Sequence, residues 1–99
     1  MSVVRTLFAL SIVAVAGAAQ AYSGHELAKE AKVTMAAARQ IALTARPGKV
    51  SDVELEREPG GSGLRYSFDI KVNKTTFEVG VDAVTGDVLE NKAEGKNPD

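Results

Sequence analysis

The side chains able to do chemistry are few in this chain. His25 is the only histidine and there is no cysteine. Zinc sites and nucleophile–base pairs are built mostly from those two residue types, so neither can be assembled in the usual ways. No glycine-rich phosphate loop is present, and no catalytic residue or cofactor site is assigned. Carboxylates are the one chemical resource in quantity. Asp52, Glu54, Glu56 and Glu58 alternate with other residues along one stretch, and Asp69 and Glu78 recur at the same alternation in the next two. If Glu58 pairs with Arg65, Glu54 falls opposite Asp69, and a tight turn at Asn73-Lys74 puts Asp69 opposite Glu78. Like charges directly opposite one another are unfavourable unless neutralised. Calcium, which takes clustered oxygens, is the natural cation. Glu54, Asp69 and Glu78 are therefore the candidate cation ligands. A register that pairs Glu56 with Arg65 is equally consistent, and it breaks up that row into an ordinary solvated face.

The elements that must carry these residues follow from periodicity. Thr34 precedes MAAARQIALTAR, in which Ala38, Ile41, Ala42 and Ala45 recur at helical spacing. Thr34 suits the N-cap, and Pro47-Gly48 ends the helix, with glycine expected to take a left-handed turn. Three alternating segments follow. Val53 and Leu55 face inward from Val50 to Glu58. Leu64, Tyr66, Phe68, Ile70 and Val72 do so in the next segment, and Phe77, Val79 and Val81 in the third. A short last strand runs from Asp87 to about Asn91. The loop Pro59-Gly60-Gly61-Ser62-Gly63 reads as a flexible hairpin connection, and Asp82-Ala83-Val84-Thr85-Gly86 as a turn held by its own Asp and Thr side chains. The fold class is α+β, one main helix on a three- to four-stranded antiparallel sheet in two layers.

The ends of the chain read differently. Residues 1–21 carry Arg5, an apolar run from Leu7 to Ala19, and a closing Ala19-Gln20-Ala21. That is the pattern of a signal peptide cleaved after Ala21, and the run is too short for a bilayer span, which needs roughly 20 apolar residues. Residues 22–32 read as a weak leader helix or disordered, with Ser23 and Glu26 as a capping box. Residues 33–92 form the domain, and 93–99 a flexible tail. Of 12 basic residues against 13 acidic, only Arg5 lies in the leader, so the remainder keeps a slight acidic excess. That balance excludes nucleic acid as a partner and offers no polybasic membrane patch. Nothing is left to anchor the chain in a membrane after cleavage.

The run Ala45-Arg46-Pro47-Gly48-Lys49-Val50, the strand Tyr66-Ser67-Phe68-Asp69-Ile70 and the closing Val81-Asp82-Ala83-Val84-Thr85-Gly86-Asp87-Val88-Leu89 occur in the order that resembles the PepSY domain. The resemblance spans about residues 33–90. Gly80, where a longer side chain is expected, and the loose glycine turn at 60–63 are its departures. The resemblance implies a cystatin-like fold without catalytic residues, in a periplasmic or secreted protein that binds protein or peptide, with inhibition or modulation of an exported peptidase as the proposed role. A cation or small-ligand binder using the acidic sheet face is the alternative. The outer sheet face, an exposed edge strand and the glycine loop at 59–63 stand as the candidate binding surfaces.

Overall fold

The computed structural model describes residues 22–95, and the segment read as a signal peptide lies outside them. One helix, α1 (Met35–Ala45), and four strands, β1 (Lys49–Arg57), β2 (Leu64–Val72), β3 (Thr75–Asp82) and β4 (Val88–Ala93), make up the domain. A leader 3-10 helix (His25–Glu30) precedes them. The strands follow one another in space in chain order, each antiparallel to the next. The helix lies across the face that carries Tyr66, Phe68, Ile70, Val79 and Val81, giving the expected two-layer α+β fold.

Local chemistry sets the bounds of these elements. The Thr34 hydroxyl accepts a hydrogen bond from the Ala37 N–H at 3.1 Å and so satisfies one of the free donors at the start of α1. At the other end Arg46 leaves helical geometry ahead of Pro47. Gly48 does not take the left-handed turn the sequence leads one to expect, since its φ is not positive. Its role is close approach: a Cβ there would sit 2.6 Å from the Lys71 carbonyl oxygen and 2.7 Å from an Ile70 methyl carbon. The β2–β3 hairpin turns at Asn73, which adopts φ 58 and is a residue type that tolerates this conformation.

Ala38 and Ala42 have no exposed surface, and neither do Phe68, Ile70, Val79 and Val81 opposite them. Small residues on the helix bring its axis close to the sheet, and the large side chains of β2 and β3 fill the space between. The Tyr66 hydroxyl donates to the Val33 carbonyl at 2.8 Å, which ties the segment entering α1 to the middle of the sheet. Burial, followed by the neighbouring Tyr22, pushes that phenol up to about 12.

Candidate functional site

The sheet face turned away from α1 is built on a buried arginine. Arg65 is only 7% exposed and lies flat across β3. Its Nη1 reaches Glu90 at 3.3 Å, and its Nη2 donates to the Pro59 carbonyl at 3.2 Å. The side chain fits because position 80 has none, for a Cβ there would lie 3.2 Å from Nη1 and 3.3 Å from Cδ. The departure at Gly80 thus has a physical cause. The glycine loop has one as well. Asp82 is buried, and its carboxylate accepts from Ser62 N at 2.6 Å, Ser62 Oγ at 2.8 Å, Val84 N at 2.8 Å and Thr85 N at 3.0 Å. Burial opposes ionisation, yet the N–H groups of Ser62, Val84 and Thr85 and the Ser62 hydroxyl outweigh it and hold the carboxyl down at about 2. Gly61 lets the loop run against this carboxylate, where any Cβ would collide with Asp82 Oδ2. The loop at 59–63 is pinned to the turn at 82–86.

The carboxylates of this face sit farther along the strands. The sheet adopts the register that pairs Glu56 with Arg65, which sets Glu54 opposite Ser67 and Asp52 opposite Asp69. Asp69 does stand opposite Glu78. Of the three candidate ligands, therefore, two meet and Glu54 is displaced from their row. Asp52 holds its position in that row, and the third carboxylate that gathers with Asp69 and Glu78 is Glu94, one oxygen from each of the three lying within 4.8 Å of the other two. Burial first, then the charges of Glu94, Asp52 and Glu54, pushes Asp69 up to about 6. Glu78 is raised by burial and by Glu90, Asp69, Glu94 and Glu56, and Glu54 by burial, Glu56 and Asp52. The sequence pattern places Glu94 in the tail, whereas the structure brings it to the end of β4. The alternation Glu90, Lys92, Glu94 was the signal that the strand continues, and β4 reaches Ala93, with Glu94 N–H donating to the Thr76 carbonyl at 2.8 Å.

The two edges of the sheet differ. Along β1 the Leu55 N–H donates to the Ser23 carbonyl at 2.8 Å, in a parallel bridge that covers the strand around Leu55. Glu30 of the leader helix accepts from Arg57 through both carboxylate oxygens at 2.6 and 2.7 Å. The β4 edge carries no such cover among the described residues. Asp82 N–H donates to the Asp87 carbonyl, and Glu94 N–H to Thr76. Backbone groups alternate in direction along an antiparallel strand, with a register shift here between Gly80 and Val81. Val88, Asn91 and Ala93 consequently turn their N–H and C=O groups to the free edge. Beside it runs an apolar groove of about 330 Å³ lined by Gln40, Ile41, Thr44 and Ala45 of α1 and by Val88. Val88 is 42% exposed. Asn91 fixes the far end of this wall, accepting from Arg46 Nε at 3.1 Å and donating to the Ala45 carbonyl at 3.3 Å.

A family model described as "Peptidase propeptide and YPEB domain", PepSY, matches residues 32–92. The chain belongs to the PepSY family. No curated protein and no solved structure matches it. PepSY domains are non-catalytic propeptide or regulatory modules, typically in exported proteins. The PepSY match begins at Lys32 and so leaves out the leader helix while taking in α1 and nearly all of β4. Its closing Asp-Ala-Val-Thr-Gly run is the carboxylate-centred turn just described. Gly86 takes φ 84, and Thr85 Oγ1 accepts from Asp87 N–H at 3.1 Å. No helix among the described residues is long and apolar enough to cross a membrane.

Proposed function

We propose that this protein is an exported, non-catalytic binding module that takes a protein or peptide partner and modulates an exported peptidase. Export would proceed through residues 1–21 with cleavage after Ala21, into the periplasm or the medium. The observation that carries the binding reading is the contrast between edges. A strand edge with outward N–H and C=O groups beside an apolar groove is the geometry by which extended segments are recognised, and β4 has both. Membership of a family associated with peptidase propeptides supports the peptidase as partner. The test is to express the full chain in cells, recover the processed protein from the exported fraction and determine its amino terminus by mass. It is then used for affinity capture from that fraction. The expected results are a terminus at Tyr22 and capture of a peptidase whose hydrolysis the protein slows. Recovery without any peptidase, across accessible concentrations, would count against this reading.

A second reading rests on the convergence of Asp69, Glu78 and Glu94, whose oxygens are close enough to share one cation. Calcium suits such a set because it accepts several carboxylate oxygens in flexible geometry. Calorimetric titration with calcium, paired with a melting curve, is expected to show heat and a raised melting temperature. Absence of both would end the reading.

A further inference from the structure

We propose that the free edge of β4 accepts an extended segment of a partner protein whose side chains alternate between apolar and basic. This rests on the reading of the chain as a binding module and adds the chemistry of what it binds. The alternation follows from the two faces that meet at this edge. A strand added beside β4 would take its backbone hydrogen bonds from Val88, Asn91 and Ala93. Every second side chain would then fall on the α1 side, against the groove of Ile41, Thr44, Ala45 and Val88, which is almost wholly apolar. The intervening side chains would fall on the opposite face, in line with Glu90, Lys92 and Glu94. Beyond those lie Glu78 on β3 and Asp69 on β2.

Charge selects the second set. Glu90 is already met by Arg65 at 3.3 Å and by Lys92 at 3.7 Å. Asp69, Glu78 and Glu94 have no ion-pair partner among the described residues, and the three stand together. Partly buried carboxylates in contact repel, which agrees with the upward shift of Asp69 and Glu78. A lysine or arginine on the incoming strand relieves that repulsion and is long enough to reach the second row. An acidic segment aggravates it. A second copy of this chain would set its own Glu90 and Glu94 beside this face, so it fits less well than a basic partner.

The test is a residue-resolved amide-shift titration of isotopically labelled protein produced from the full chain, with chelator present to exclude cations. The probes are a seven-residue peptide alternating Lys with Val and Thr, and the same peptide with Glu in place of every Lys. Saturable shifts are expected at Val88, Asn91 and Ala93 and at Gln40 and Thr44. The Glu peptide should bind about tenfold more weakly, as the loss of a few exposed ion pairs would give. Ala93→Pro removes an outward donor without touching the β3 ladder and should abolish binding, with Phe68 and Ile70 amides unmoved as the control for folding. Glu78→Gln with Glu94→Gln should remove the preference for Lys over Glu. Shifts centred on Val53 and Leu55 instead, or equal binding of both peptides, would overturn this inference while leaving the module reading intact. Shifts at β4 that grow with protein concentration alone would overturn it in favour of self-pairing. Silence with both peptides would also overturn it, and the capture experiment then decides the module reading separately.

Discussion

Two carboxylates set opposite pH limits on this small domain. Asp82 is held at about 2, well below the ordinary range. Its stabilisation is complete above the unfolded carboxylate value near 4 and fades as pH falls through 2, a contribution of about 2 kcal/mol. Asp69 is the reverse case. Raised to about 6, it binds its proton more readily folded than unfolded, so its ionisation costs stability above that value and the cost disappears towards pH 4. The contribution of these two groups should therefore peak near pH 4 and fall as pH rises towards 6, which chemical denaturation across pH would show. Asp82→Asn presents an amide N–H₂ where Ser62 N–H donates, and it should lose about 2 kcal/mol at neutral pH along with the acid-limb dependence. Asp69→Asn should raise the melting temperature at pH 7 by a few degrees and leave the pH 4 value unchanged. The turn role of Asp82 and Thr85 could be read from residue type and spacing alone. The grip of Asp82 on Ser62 could not, because the two lie 20 residues apart and only the closed sheet brings them together.

At the scale of elements, the helix, the β2 and β3 strands and the hairpin register all follow from hydrophobic alternation and turn length. The register of β1 does not. Two pairings were equally consistent with the alternation, and the choice between them moved Glu54 out of the carboxylate row. Local pattern is silent there because both pairings bury the same residues, while Arg65 settles lengthwise over Gly80 only once three strands are assembled. Gly80→Val should press on that buried arginine and cost about 1–3 kcal/mol. The same change on an Arg65→Ala background should cost markedly less, a coupling that a double-mutant cycle of melting curves would expose. The leader helix is a separate and weaker unit, with no buried residue of its own. Gly24→Ala sets a Cβ against the Leu55 carbonyl. It should speed hydrogen exchange at the Leu55 amide about tenfold or more and leave Phe68 at the global rate, since the leader can open without unfolding the sheet.

Across the whole molecule, the features on which the proposed function rests lie at one side. The leader covers the β1 edge around Leu55, the α1 face of the sheet is filled by the core, and the glycine loop is fastened to Asp82. Among the described residues, the open backbone groups and the apolar groove meet at β4, and the carboxylates without an ion-pair partner lie on the sheet face beside it. Sequence pattern identified an edge strand as one candidate surface without telling which edge, since the cover over β1 depends on one backbone bond from Ser23 that no side-chain pattern records. The most direct measurement is the rate at which the captured peptidase hydrolyses its substrate in the presence of the wild-type protein, Ala93→Pro and Val88→Asp. If β4 is the working surface of a regulatory module, the wild type slows hydrolysis in a concentration-dependent way and both variants restore it. An unchanged rate with the wild type, or equal inhibition by all three proteins, would contradict that claim.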